Sequence, residues 1–502
     1  MAISTFGAIH IGASELSMKI YEFHQGKELT TLSHVRRKLS LSAKTYTKGT
    51  ISFQSVSDLC QSLRDFKRIL SEFQVSDYRL YVSSDLKEAS NFYIILDQIK
   101  IQTGFHADVL SNSETRFLYY KALFLKEKDF EKTIQKATLA VDVDAGSLQL
   151  SVFADHELKA TQNLHLGSAR IQQLLHIMEN EAYNFPALID EYIEKNLVSF
   201  TKLYLKNFAI EHIVVFGQMI PTLYYLIQDT DPSFEGTLSK KALVKEALIK
   251  DLLKEQARFV VPTLLLVRKI ASLTNCNNVV LSPIDILDGI AANYGEKKKK
   301  VVLNHDFITD ILSSAHYIAG KYMVDRQHTD VVANLALQIF DKIRKLHGLG
   351  KRQRLLLQLG VILHSCGSYI SEVQRRECSY QIIMSTEIIG ISHKERSMVA
   401  NMVRYNSLSF PAYEQFQSEF STEEYLTIIK LNAILTIANV LDSSNRHKIP
   451  NVSISLKDDT LQITADTMAD ITLEKGLFHS RADIFEEVFG IRPELRQKRS
   501  GR

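Results

Sequence analysis

Leu139-Ala140-Val141-Asp142-Val143-Asp144-Ala145-Gly146-Ser147-Leu148-Gln149-Leu150-Ser151-Val152-Phe153 is the stretch on which the fold turns. Apolar runs flank a short turn, Asp144-Ala145-Gly146, so the segment predicts a β-hairpin. The same pattern opens the chain. Gly7-Ala8-Ile9-His10-Ile11, a turn at Gly12-Ala13-Ser14 and Leu16-Ser17-Met18-Lys19-Ile20-Tyr21 align with it without a gap. Ala8 falls on Ala140, Ile9 on Val141, His10 on Asp142, Ile11 on Val143, Leu16 on Leu148 and Ile20 on Val152. Turn length agrees, and so does the polar residue one strand step before the turn. Two copies of one hairpin predict an internal duplication.

Around the first hairpin, strand-like Tyr78 to Ser83 and Phe105 to Leu110 alternate with helical patterns at Ser55 to Phe73 and Glu88 to Ile101, an α/β layer. The texture changes past Pro283. Gly295-Glu296 and the run Lys297 to Lys300 read as a solvated linker at a domain boundary. From Asp306 to Leu441 the pattern is mainly helical, including Val331 to Leu346, Arg352 to His364 and Glu395 to Arg404. A small strand pair follows at Val452 to Leu456 and Leu461 to Thr464, with turn chemistry at Asp458-Asp459, and the basic tail Arg496 to Arg502 is expected to fray. With 502 residues the chain suits about three units at roughly 150 residues each. The expected division is lobe I at 1–125, lobe II at 126–300 and a helical domain with a small α+β extension at 301–502.

Composition narrows the function. Hydrophobic residues make up 45% and charged residues 23%, which suits ordinary globular cores. A formal net charge of +3 gives no bulk attraction for nucleic acid, so none is expected as a partner. Cys60, Cys276, Cys366 and Cys378 show no CxxC spacing, so a reducing, cytoplasmic setting is expected. The start, Met1-Ala2-Ile3-Ser4-Thr5-Phe6, lacks the features of a signal peptide. The richest apolar run, Phe259 to Ile270, is too short to cross a membrane, contains Arg268-Lys269 and reads as a buried helix.

Two α/β lobes that each open with such a hairpin would face one another across a cleft. Tight turns aim backbone N–H groups at an anion, and small residues let a phosphate approach. Gly12 and Ser14, with Gly146 and Ser147, meet that requirement. Asp142 puts a carboxylate at the end of its strand, where it can hold a divalent cation or orient a water. Its counterpart is His10, a poor ligand for a hard cation.

These segments resemble the exopolyphosphatase / guanosine pentaphosphate phosphohydrolase (Ppx/GppA) family. Its Ala-Ile-Asp-Ile-Gly-Ser-Asn-Ser opening is similar to Ala8-Ile9-His10-Ile11-Gly12-Ala13-Ser14-Glu15. Its Ala-Thr-Ser-Ala-Leu-Arg-Glu-Ala segment resembles Val82-Ser83-Ser84-Asp85-Leu86-Lys87-Glu88-Ala89. Its Ile-Ser-Gly-Glu-Glu-Glu-Ala-Arg-Leu segment resembles Leu110-Ser111-Asn112-Ser113-Glu114-Thr115-Arg116-Phe117-Leu118. The second hairpin matches Ile-Asp-Ile-Gly-Gly-Gly-Ser-Thr-Glu, and Leu164-His165-Leu166-Gly167-Ser168-Ala169-Arg170 matches Leu-Pro-Leu-Gly-Ala-Val-Arg. Val214-Val215-Phe216-Gly217-Gln218-Met219 stands where the family has a Gly-Gly-Thr turn. His328, Leu346-His347-Gly348-Leu349, Ile362-Leu363-His364-Ser365 and Val403-Arg404-Tyr405-Asn406 resemble its HD-like helical domain.

The resemblance implies a duplicated actin-like (ribonuclease H-like) α/β core followed by an HD-like all-helical domain. It implies hydrolysis of phosphoanhydride bonds in inorganic polyphosphate or guanosine penta/tetraphosphate with Mg²⁺, in a homodimer. Asp142, Gln149 and Glu114 then take the catalytic positions. Lys87 and Arg170 join Gly12, Ser14, Gly146 and Ser147 as phosphate-binding residues, and Asp142 and Asp144 hold the metal. Several acids are replaced. The first-hairpin Asp is His10, the expected base aligns with Thr115 beside Glu114, and the Glu closing the second hairpin is Gln149. Glu114 also completes a capping box, Ser111-Asn112-Ser113-Glu114. Asp144 stands where a glycine would cradle phosphate, at a cost on the order of 1–4 kcal/mol for a carboxylate ~4 Å from a phosphate oxygen unless a cation intervenes. His10 and His165 are phosphate contacts if protonated, or structural. In the helical domain Ser365 takes the place of the pair's Asp and Asn439 sits near the last one. With no carboxylate beside His328 and His364, the expectation is a structural, interfacial or ligand-sensing domain. A binding protein that has lost turnover is the alternative reading of the whole chain.

Overall fold

The computed structural model describes residues 4–12, 15–24, 29–39, 41, 49–127, 129–168, 170–171, 185–239, 260–449, 452–457 and 460–499. It divides into two compact units, Met1–Asp310 and Ile311–Arg502. Ser14 and Asp458-Asp459 lie outside the described residues.

The first unit holds two sheets of one topology. In the first, β1 (Ser4–Ile11), β2 (Glu15–Phe23), β3 (Thr30–Lys38), β4 (Asp77–Val82) and β5 (Ala107–Val109) lie in the order β3-β2-β1-β4-β5. In the second, β6 (Thr138–Val143), β7 (Leu148–Ala154), β8 (Glu157–Leu164), β9 (His212–Phe216), β10 (Thr237–Ser239) and β11 (Asn278–Leu281) lie in the order β10-β11-β9-β6-β7-β8. Read from β8, this is again third-second-first-fourth-fifth, with β10 added at the edge. In both copies the first strand pairs antiparallel with the second and parallel with the fourth.

The likeness extends to single bonds. The first turn closes with Gly12 N donating to Glu15 O at 2.8 Å, and the second with Asp144 N donating to Ser147 O at 3.0 Å. Ile11 faces Leu16 across one hairpin, and Val143 faces Leu148 across the other. The ladder slips between Ile20 and Tyr21 in the first copy, and between the aligned Val152 and Phe153 in the second. A bulge re-aims the strand that carries it, so a shared bulge preserves strand direction as well as order.

Burial explains the composition. β6 and β7 are buried along their whole length, as covered faces demand, and read as near-continuous apolar runs. Against the first sheet lies the helix Phe53–Glu72, which buries Val56, Leu59, Leu63, Phe66 and Leu70 at helical spacing. Ser52 caps it by accepting from Ser55 N. The helix Asn112–Lys126, after the first sheet, packs on Ile286–Lys297, after the second. A Cβ at Gly289 would stand 2.1 Å from Leu118 O, so contact this close needs a glycine. The linker expected near 295–300 is structured. Gly295 and Glu296 lie inside that helix, and Lys300 Nζ donates to Ser4 Oγ at 2.6 Å while lying over the Phe23 and Tyr294 rings.

The second unit is mainly helical, with Arg326–Lys342, Lys351–Leu363, His393–Arg404 and Thr422–Val440 among its helices. Its small sheet takes the order β12-β13-β14, from Val452–Lys457, Thr460–Asp466 and Arg492–Lys498. Fraying does not describe 496–498. That stretch pairs parallel with β13, because the edge of the predicted strand pair supplies backbone partners that the basic side chains do not disturb. No helix among the described residues is long and apolar enough to cross a membrane.

Candidate functional site

Both hairpin turns reach one cavity. Gly12 comes to its wall from the first copy, and Asp144 and Ala145 come from the second. The empty space measures about 720 Å³ with the open mouth included. The turns are held from behind. Ser168 N donates to Asp144 O at 3.0 Å, and a Cβ at Gly167 would stand 2.2 Å from Ala145 O. On the other flank Gly217, at φ +117°, lies against the end of β6. A Cβ there would stand 2.5 Å from Val143 O and 2.7 Å from Asp142 Oδ1. These two close approaches explain the glycines in the Leu166-Gly167-Ser168 and Phe216-Gly217-Gln218 segments.

Helix N-termini converge on the same space. Thr115 brings the first turn of Asn112–Lys126 to the wall, Pro221 that of Ile220–Thr230, and Ile286 that of Ile286–Lys297. Each places the positive end of a helix dipole near the cavity, which favours an anion. Two of the three are capped by capping boxes, Ser111 with Glu114 and Asp285 with Asp288, whereas Ile220–Thr230 has no side-chain cap.

The side-chain charges oppose that field. Glu15, Asp144 and Asp285 are on the wall, with Arg36 as a cation among them. Asp285 accepts from the N–H groups of Leu287 and Asp288 and pairs with Lys19 at 2.7 Å. Burial raises the Glu15 carboxyl above its usual range and Asp285 pushes the same way, while Arg36 holds it down. His10 is on the wall too, but burial pulls its pKa down to about 4, so at neutral pH it is an uncharged ring. In the ligand-free cleft, burial thus works against a charged imidazole at His10. Burial, then the charges of Asp144 and Asp142, hold the Tyr119 phenol protonated far above neutrality.

The residues predicted from the sequence fall into three groups. Gly12 and Asp144 stand on the wall, and Gly146 and Ser147 complete the second turn, both half-buried. Asp142 and Gln149 face each other across β6 and β7 and are buried, 4% and 3% exposed. Gln149 donates to Thr161 Oγ1, and its Oε1 has no hydrogen-bond partner among the described residues. Glu114, Lys87, Arg170 and His165 do not line the cavity. Glu114 Oε2 accepts from Ser111 N at 2.9 Å and Ser111 Oγ at 2.7 Å, and its neighbour Thr115 takes the wall position. Lys87 is exposed on the short 3₁₀ turn Ser84–Glu88, from which Ser83 reaches the wall. Sequence reasoning missed Glu15, Arg36, Asp285 and Gln218. Glu15 directly follows the first turn, whereas Arg36 lies on β3 and only strand pairing brings it to the cavity.

The donor set near the turns is all oxygen: Asp142, Asp144 and the amide oxygen of Gln149. It suits a hard cation held by one or two carboxylates and completed by waters and substrate phosphate. Among the described residues no three His, Cys, Asp or Glu converge into a ready-made metal cage.

The second unit has a buried cluster of its own, and it corrects the sequence expectation. A carboxylate does stand beside His328: Asp442 Oδ2 takes His328 Nδ1 at 2.8 Å and His447 Nδ1 at 2.9 Å. Burial pushes the Asp442 carboxyl up, but hydrogen bonds from His328 and His447 and the charge of His328 overcome it and hold the carboxyl below its usual range. The acid was sought near Asn439; the chain bends at the end of Thr422–Val440 and brings Asp442 instead. His364 donates from Nδ1 to Val361 O at 2.7 Å, and burial lowers its pKa to about 4.

The chain is similar to known proteins. A family model described as Ppx/GppA phosphatase family matches residues 19–290, and one described as Ppx/GppA phosphatase, domain III, matches 312–481. The guanosine-5'-triphosphate,3'-diphosphate pyrophosphatase of Aliivibrio fischeri (strain ATCC 700601 / ES114) is 22% identical over 479 residues, 92% of this chain and 91% of its own length. Exopolyphosphatase 1 of Mycobacterium tuberculosis is 22% identical over 165 residues, 33% of this chain and 47% of its own length. The crystal structure of an exopolyphosphatase from Cytophaga hutchinsonii superposes with a TM-score of 0.50 at 18% identity, over 59% of this chain and 98% of that one.

Proposed function

The chain belongs to the Ppx/GppA phosphatase family, and from that premise we propose that its cleft hydrolyses a terminal phosphoanhydride bond of inorganic polyphosphate or guanosine penta/tetraphosphate. One observation carries the proposal: the two copies of the hairpin turn border a single cavity at which three helices begin. Backbone N–H groups there meet phosphate oxygens. Gly12, Gly146 and Ser147 permit close approach, and the sequence assigns the same role to Ser14. In this reading Arg170 guides the remainder of the polyanion toward the mouth, whereas Lys87, exposed and off the cavity wall, is given no phosphate contact.

Mg²⁺ is the ion the family likeness implies. Bound beside Asp142 and Asp144, with Gln149 Oε1 nearby, it would neutralise charge developing on the transferred phosphoryl group. Without it the carboxylates of Glu15 and Asp144 repel the substrate, so this chain requires the cation for binding as well as for turnover. Glu114 is the residue assigned to take the proton of the attacking water. Cysteine usage assigns the chemistry to a reducing cytoplasm, and family likeness assigns the assembly to a homodimer.

A second reading is favoured by a specific feature. Thr115 occupies the wall where a base belongs, Glu114 Oε2 is engaged by Ser111, and His10 and Gln149 replace two acids. On that reading the chain binds a phosphate chain and turns it over slowly or not at all. Phosphate release from polyphosphate and from guanosine pentaphosphate, with and without Mg²⁺, separates the two. Release above background with Mg²⁺ is expected. Saturable binding with no release would establish the second reading, and no binding of either ligand would end both.

A further inference from the structure

We propose that Arg36, on β3, is the side chain that grips substrate phosphate inside this cleft, the role the sequence assigned to Lys87. The inference rests on the phosphate-cleft reading and adds its cationic contact.

Strand register sets the position. His10 on β1 lies opposite Ser17 on β2, and Ser17 lies opposite Arg36 on β3. Residues directly opposite in neighbouring strands share a face of the sheet. The three therefore form one row, and all three line the cavity. The next row on that face is Ala8, Lys19 and His34. Lys19 is already committed, at 2.7 Å to Asp285 and 3.1 Å to Asp288. Arg36 is not. Its Nη2 stands 3.6 Å from Asp285 Oδ2, longer than a hydrogen bond, and its side chain is 40% exposed. Its Nε donates to His34 Nε2 at 3.0 Å, which fixes the plane of the guanidinium and leaves the Nη edge to meet a ligand.

Asp285 explains why this arginine can change partners. That carboxylate already accepts two backbone N–H groups and the Lys19 ammonium, so it does not depend on Arg36. A phosphate in the cavity offers the guanidinium two oxygens in the planar fork it is built to engage. Lys87, exposed on its 3₁₀ turn, has no place on the wall.

The test is calorimetric titration of the full chain with tripolyphosphate in excess Mg²⁺, for wild type, Arg36→Gln, Arg36→Lys and Lys87→Gln. A charge-assisted contact predicts at least tenfold weaker binding for Arg36→Gln, partial recovery in Arg36→Lys, and a change of less than twofold for Lys87→Gln. Melting temperatures accompany each titration, and Arg36→Lys keeps the test decisive if Arg36→Gln unfolds. Wild-type affinity in both Arg36 variants would overturn the assignment while leaving the phosphate cleft standing. Absence of binding by wild type would overturn the cleft reading itself, and the assignment with it.

Discussion

At the scale of single residues, the histidines set a measurable pH dependence. Burial lowers His10 and His364 from 6.5 to about 4 each. Between those values the unfolded chain binds protons that the folded chain excludes, so stability rises with pH through this window and is lost on acidification. Each group contributes a slope of up to about 1.4 kcal/mol per pH unit. Urea midpoints from pH 4.5 to 7 should therefore fall toward acid, and His10→Gln should remove one proton's share of the slope. An unchanged slope in that variant would place a charged, solvated imidazole at position 10. Gly217 gives a second residue-scale prediction. With φ at +117° and no room for a Cβ between Val143 O and Asp142 Oδ1, Gly217→Ala should cost about 3 kcal/mol in denaturant unfolding. It should also weaken phosphate binding, because relief of the clash moves the end of β6. A variant as stable as wild type would show that this turn has other room to move.

Elements decide whether the cleft turns over. The capping box at Ser111 and Glu114 makes one carboxylate serve the start of a helix and, in the proposed reaction, a water. Ser111→Ala should cost about 1 kcal/mol of stability and leave phosphate release within a few fold. Glu114→Gln should cost no more stability, yet reduce release by a hundredfold or more. Equal and small effects on release would reduce Glu114 to a cap. The strand ends allow a complementary gain: His10→Asp with Gln149→Glu restores the two missing acids and should raise release at least tenfold with Mg²⁺. Release left at its original level would detach these positions from the chemistry. The hairpins themselves were legible in the sequence, because a period of two and a small-residue turn are local signals, and the aligned bulges show that the alignment was right to the residue. Arg36, Glu15 and Asp285 were not legible. Register across three strands and a helix cap from the far end of the second lobe bring them together, and no local pattern encodes that pairing. Asp442 escaped for the same reason, since a bend after a helix moved the acid three residues from where spacing put it.

For the molecule as a whole, duplication is the organising fact. One hairpin, used twice, supplies both walls of a cavity, and the helices that follow each copy start at that cavity and pack on each other through Gly289 and Leu118. The order of elements followed from the sequence, whereas the balance of charge in the cavity did not. Charge depends on which side chains share a face and which are already paired, as Lys19 is with Asp285 and Asp288. Hydrogen exchange by mass spectrometry on the full chain, with and without saturating tripolyphosphate and Mg²⁺, tests the shared site directly. The two turns, residues 10–17 and 142–149, should gain protection together and at the same ligand concentration. Protection confined to one turn, or found only beyond residue 310, would show that the two copies do not hold one ligand between them.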